Sequence, residues 1–173
     1  MKKVSVIFMF VFLIGCGASM IGGLRGDYYE GRIGQSVDEF EGYSATFVNL
    51  AMPSFSYMAE MALRFEKVAQ KNKPTIYVMS SYLYQNDWLF VKKLKIKLDD
   101  KMYEFDSVKD SRNVLNGGYI EELNYYAIGR NFIEKMANAG TVSIRLVGKD
   151  YYMEMNYESR HKSLLQDFLT QTK

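Results

Sequence analysis

Glu121 and Glu122 are adjacent carboxylates in Tyr119 to Tyr126, a stretch whose residue types read as a strand. Two carboxylates flanking one bond are the machinery of glycoside hydrolysis, but consecutive strand residues point to opposite faces. These two therefore cannot act together across one bond. Either alone can supply one carboxylate of a hydrolase acting on envelope glycan or lipid. If one faces inward, Arg145 is its natural partner, because it interrupts an otherwise apolar strand at Val142, Ile144, Leu146 and Val147. A structural ion pair is expected there rather than a catalytic one. His161, the single histidine, stands between Arg160 and Lys162. Ser159 and Ser163 beside it are too generic to make a nucleophile, and no G-x-S-x-G elbow occurs. An exposed helix position is the expectation for His161.

One histidine and one cysteine leave the usual nitrogen and sulfur ligands of zinc missing. Asp99-Asp100 and Asp106 to Asp110 offer oxygen ligands for calcium, yet neither fits the twelve-residue calcium loop, and both read as turn acids. No metal and no cofactor is indicated.

Two features suit binding. Lys93, Lys95 and Lys97, with Lys92 beside them, form a basic strip that can meet anionic headgroups or acidic glycans; the plainer reading is a solvated strand face. Trp88, the only tryptophan, opens the same stretch. Its parity with Phe90, Leu94, Ile96 and Leu98 places it on the inward face near the rim of the core. Its rival role is an exposed platform for stacking a ligand.

The elements that must hold these residues follow from periodicity. Ser44 to Met52, Glu60 to Ala69, Thr75 to Tyr84, Trp88 to Leu98, Met102 to Phe105 and Tyr119 to Tyr126 read as strands, with a polar loop from Asp106 to Gly118. Ala127 to Ala139 takes a helical period through Ile128, Phe132, Ile133 and Met136, with Gly140 where a C-terminal glycine cap belongs. Thr141 to Val147 and Tyr151 to Tyr157 form a hairpin, and a helix near Ser159 to Thr170 buries Leu164, Leu165, Phe168 and Leu169. Earlier, Ser36-Val37-Asp38-Glu39 fits a capping box and predicts one helical turn. The fold class expected is α+β: an antiparallel sheet or sandwich of about 7–8 strands with two helices in the C-terminal half.

The first sixteen residues differ from all of this. Lys2 and Lys3 precede an apolar run, Val4 to Ile14, broken only by Ser5, and the run ends Leu13-Ile14-Gly15-Cys16. The pattern resembles the lipobox of bacterial lipoproteins. That resemblance implies cleavage between Gly15 and Cys16 and thioether lipidation of Cys16, with residues 1–15 a signal peptide. Eleven residues is the length of a signal core and too short to span a bilayer. The whole uncharged stretch, Val4 to Leu24, is long enough to span, but Gly15, Gly17, Gly22 and Gly23 disfavour a helix there. Residues 16–35 then form a flexible, glycine-rich tether and 36–173 a single domain.

The net charge of +2 belongs to Lys2 and Lys3; from Cys16 onward 20 basic residues face 20 acidic ones, which leaves a nucleic-acid partner without electrostatic support. The expectation is a non-enzymatic envelope lipoprotein, held to a membrane by its palmitate-type lipid anchor, that binds an envelope protein or cell-wall glycan. A carboxylate hydrolase and a carrier of an apolar ligand are the alternatives. Gly17 after the cysteine, where no aspartate stands, implies the outer membrane if the organism is Gram-negative.

Overall fold

A computed structural model describes residues 32–40, 42–52 and 59–173. Six antiparallel strands make the larger sheet, in the order β1 (Ile33–Asp38), β2 (Tyr43–Ala51), β3 (Glu60–Gln70), β4 (Ile76–Gln85), β8 (Ile120–Ile128) and β7 (Lys109–Val114). The smaller sheet runs β10 (Tyr152–Met155), β9 (Val142–Val147), β5 (Lys93–Leu98) and β6 (Lys101–Asp106), again antiparallel. Helix α1 (Arg130–Asn138) follows β8, and α2 (Ser159–Gln171) closes the chain. This is the α+β class expected, with both helices in the C-terminal half.

Period-two patterning builds one core from both sheets. In the smaller sheet Leu94, Ile96 and Leu98 face inward while Lys93, Lys95 and Lys97 face out. The register sets Leu94 opposite Leu146 and Ile96 opposite Ile144. Val48 and Leu50 of β2, Leu63 and Phe65 of β3, and Met79 and Leu83 of β4 line the inner face of the larger sheet. The helices complete this core with Phe132, Ile133 and Met136 from α1 and Leu165 and Phe168 from α2. Tyr103 and Phe105 of β6 meet Phe132 edge-on, at 5.3 and 4.8 Å between ring centres, a favoured aromatic geometry.

Four local expectations are corrected. Ser36 to Asp38 belong to β1, paired with β2, instead of opening a helical turn, and Ile33 to Gln35, expected in the tether, lie in the same strand. The polar stretch Lys109 to Val114 is strand β7, not loop; as an edge strand it satisfies its backbone against β8 and needs no apolar alternation. Helix α1 ends at Ala139, whose N–H reaches Lys135 O in an extended conformation, and Gly140 adopts no left-handed cap. The strand beginning at Trp88 starts only at Lys93.

The C-terminus of α2 is gripped by cations from elsewhere. Arg130 Nη1 donates to Tyr77 Oη (3.1 Å) and Thr172 O (2.9 Å), and its Nη2 donates to Leu169 O (2.9 Å). Lys67 Nζ adds a bond to Thr172 O at 2.9 Å. Both cations sit where the helix dipole and its last carbonyls are negative. Arg130→Ala is expected to cost about 1–2 kcal/mol, since hydrogen bonds to a charged donor are lost from a partly exposed site. Chemical denaturation checks this, and Arg130→Lys should recover only part of the loss because its ammonium cannot reproduce the fork.

Candidate functional site

Residues 86–92 carry the chain from β4 of the larger sheet to β5 of the smaller one, and several side chains bond their backbone. Glu122 stands on the inner face of β8, fully buried. Its Oε1 accepts the N–H groups of Leu89 (2.7 Å) and Phe90 (2.9 Å), and its Oε2 accepts that of Val91 (2.8 Å). Three successive amides converging on one carboxylate form an anion nest. Such a nest needs a residue in the left-handed region, and Phe90 supplies it with φ 53°. Arg112 of β7 closes the arrangement: Nε lies 3.5 Å from Glu122 Oε2, Nη1 pairs with Asp110 at 2.6 Å, and Nη2 donates to Val91 O at 3.5 Å.

The other side of the crossing is held by the β9–β10 turn. Lys149 N–H donates to Leu89 O (3.1 Å) and Lys92 N–H to Val147 O (2.9 Å). Gly148 packs so closely on Leu89 that a Cβ there would collide with Leu89 O, so this close approach requires glycine.

The left-handed turn at Phe90 inverts the parity expected from sequence. Leu89 and Val91 are buried, Trp88 is half-buried, and Phe90 is 42% exposed. Trp88 stacks on Phe90 at 5.4 Å with 20° between the planes. Arg112 stands 5.8 Å above the Phe90 ring. Tyr151 Oη donates to Trp88 O at 3.2 Å and lies 3.4 Å from Gln85 Nε2. Trp88 is thus neither in a strand nor in the core; it belongs to a surface aromatic rim. Partial desolvation of the Tyr151 hydroxyl, then the nearby carboxylates of Asp87 and Glu122, raise its phenol pKa.

The remaining candidates are engaged elsewhere. Glu121 is buried on the opposite face of the sheet, as strand alternation requires, and accepts Tyr82 Oη at 2.8 Å. Beside it Tyr84 stacks on Tyr119, 4.9 Å apart. Arg145 does not pair with either glutamate. It lies on the outer face of the smaller sheet and pairs with Glu154 at 2.7 Å, directly opposite in register. Lys93 pairs with Asp106 (3.4 Å) and Glu104 (3.7 Å), and Lys95 with Glu104 (2.8 Å). Those lysines hold the Glu104 carboxyl below its ordinary pKa. Lys97, across from Met102 and Ser143, has no such acid opposite it. Cys16 and Gly15 lie outside the described residues.

Asp99, in the β5–β6 turn, accepts Thr141 N–H at 2.9 Å and ties that turn to the start of β9. No cluster of three or more metal-ligating side chains occurs among the described residues.

His161 overturns its expectation of exposure. It is buried, and it forms a capping box with Glu158 at the start of α2. Nδ1 accepts Glu158 N–H at 2.9 Å, so Nε2 bears the proton and donates to Ala51 O at 2.9 Å. The ring is a neutral clamp between α2 and β2. Burial, with some help from Arg160, lowers its pKa below the ordinary 6.5.

Compared with protein-family models, with curated proteins and with solved structures, the chain matches none.

Glu122→Gln should cost about 1–3 kcal/mol, because one acceptor oxygen is replaced by a donor facing a buried N–H. Glu122→Ala should cost roughly 3–5 kcal/mol, since it leaves three amides of the crossing without an acceptor. Urea denaturation followed by Trp88 fluorescence measures both, and the ring reports any displacement of the crossing. For His161, a lowered folded pKa means the unfolded chain binds the proton more tightly. Its contribution is therefore complete above pH 6.5 and is lost as pH falls below 6.5 towards the folded value. The difference in stability between wild type and His161→Gln should accordingly be constant from pH 7 to 8 and shrink on acidification.

Proposed function

We propose that this chain is a lipid-anchored lipoprotein of a bacterial envelope whose domain binds or supports another envelope component without catalysing a reaction. The observation that carries the anchor is the run from Lys2 to Leu13-Ile14-Gly15-Cys16, in which basic start, apolar length, small residue and cysteine follow in the order a lipobox needs. The mature protein then begins at Cys16, held in the outer membrane where the organism is Gram-negative.

The non-enzymatic reading is supported by how the groups able to do chemistry are used. Glu122 is spent on the nest, His161 on the capping box, and Asp99 on a turn. Glu121 and Glu122 open to opposite faces of one sheet. Among the described residues, no helix is long and apolar enough to cross a membrane.

One observation favours a hydrolase: Glu121 Oε2 is buried with no hydrogen-bond partner among the described residues, while Oε1 is held by Tyr82. If that carboxylate turned over envelope glycan or lipid, Glu121→Gln would abolish the activity and leave binding intact. On the reading proposed here the variant has no catalytic phenotype, because there is no activity to lose.

The anchor is tested by Cys16→Ser. The variant should stay unprocessed or be released from the membrane fraction, with the thermal transition of the domain unchanged. Normal processing and full membrane retention of Cys16→Ser, read by fractionation and by the mass of the mature N-terminus, would overturn the anchor.

A further inference from the structure

Aromatic side chains gather at one end of the larger sheet, where β4 finishes and β8 begins. Trp88 and Phe90 form one stack there, Tyr84 and Tyr119 another, and Tyr151 is tied to the Trp88 carbonyl. Phe90, Tyr119 and Tyr151 are 42%, 38% and 43% exposed, and Val114, ending β7 at the same end, is 69% exposed. These are not loose side chains: the nest of Glu122 and the close packing on Gly148 fix the crossing from which two of them project.

The direction of β1 relates this end to the start of the chain. Ile33 pairs with Val48 and Asp38 with Tyr43, so β1 runs away from the end of β2 at Ala51. Ala51, Glu60 of β3, Gln85 of β4 and Ile120 of β8 mark the same end of the sheet. The polypeptide therefore enters β1 heading away from the aromatic end. Ile33 shares a register row with Met79, six residues short of Gln85, or roughly 20 Å along the strand. The stretch from Cys16 to Arg32 can extend to about 50 Å, so it has ample length to place a membrane at that end.

We propose that the aromatic end is the face by which the domain seats on the bilayer that holds its anchor, with Trp88, Phe90, Tyr119 and Tyr151 at the level of the lipid headgroups. The inference rests on the lipoprotein reading for the nearness of a membrane. Tryptophan and tyrosine suit that zone because a flat apolar ring and a polar group occupy it together. Near these rings Lys92, Lys149 and Arg112 are matched by Asp87, Asp150 and Asp110, and Glu60 stands at the same end of the sheet opposite Tyr84, so there is no basic excess. Seating therefore depends on ring burial and not on anionic lipid, which distinguishes it from a polybasic contact.

Trp88, being the only tryptophan, reports the contact by itself. The full mature protein is reconstituted in phosphatidylcholine vesicles with and without lipids brominated near the headgroup end of the acyl chain. The expected result is a blue shift of Trp88 emission relative to the protein in dilute detergent, and strong quenching by the brominated lipid that persists in high salt. Phe90→Ser with Tyr151→Ser should reduce the quenching while circular dichroism keeps the fold. Emission indifferent to bromine overturns the seating. So does emission that responds instead to cell-wall glycan fragments or to a copurifying protein. The mass of the Cys16 peptide is read separately: an unmodified Cys16 sinks the lipoprotein reading, whereas a lipidated Cys16 with unquenched Trp88 sinks the seating alone.

Discussion

The carboxylate of Glu122, held by three consecutive amides and Arg112, is the contact on which the arrangement of the two sheets depends. Residues 86–92 must leave β4 in the larger sheet and enter β5 in the smaller one, and extended backbone crossing a core would otherwise strand its N–H groups. Glu122 collects those of Leu89, Phe90 and Val91 in a single group. The left-handed conformation of Phe90 costs of order 1 kcal/mol, and it persists because the carboxylate on one side and Gly148 on the other allow no alternative. With the crossing fixed, Leu89 and Val91 enter the core and Lys92 reaches the edge of β9, so the lysine and leucine faces of β5 begin in the correct phase.

The helices obey the same rule of satisfying backbone ends with groups distant in sequence. His161 joins the start of α2 to Ala51 in β2, and Arg130 and Lys67 join its other end to α1 and β3. Neither clamp is an exposed ion pair of negligible worth; each meets carbonyls or amides that the helix itself cannot use. A helix of thirteen residues with a modest apolar stripe is thereby tied at both ends to the sheet it covers.

Sequence patterning made most of this legible. The strands with clean alternation, above all Lys93 to Leu98 and Val142 to Val147, and both helices emerge from period alone. What escaped has physical reasons. Strand β7, Lys109 to Val114, carries one apolar residue in six because it forms a sheet edge and is defined by the hydrogen bonds of β8. Strand β1 lies in glycine-rich sequence, where Gly34 is needed because Phe47 packs directly over it. The phase of Trp88 was misread because a phenylalanine with positive φ leaves no signature in composition, and the carboxylate that imposes it lies 32 residues away. His161 between two cations looks exposed in one dimension, and only the packing of α2 on β2 turns its ring inward. A signal for Glu122 was present, since a glutamate within a strand of buried residues demands a partner, but sequence could not tell Arg112 from Arg145.

Charge distribution then decides which surface has something left to offer. On the outer face of the smaller sheet Glu154, Arg145, Lys95 and Glu104 lie in one cross-strand row, with Lys93 and Asp106 in the next. Exposed pairs of this kind add little to stability, yet they answer Lys93 and Lys95 of the strip that the alternating lysines suggest and leave Lys97 without an acid opposite. A surface most of whose cations are answered by acids on the neighbouring strands has little pull on an anionic partner at physiological salt. The aromatic end is different, because Phe90, Tyr119 and Tyr151 keep about two fifths of their surface exposed there. Hydrophobic area whose nearby charges balance has little long-range field and acts only on what is already close. Such a surface is useful where another interaction keeps its target within reach, a condition that the lipid anchor proposed at Cys16 would supply.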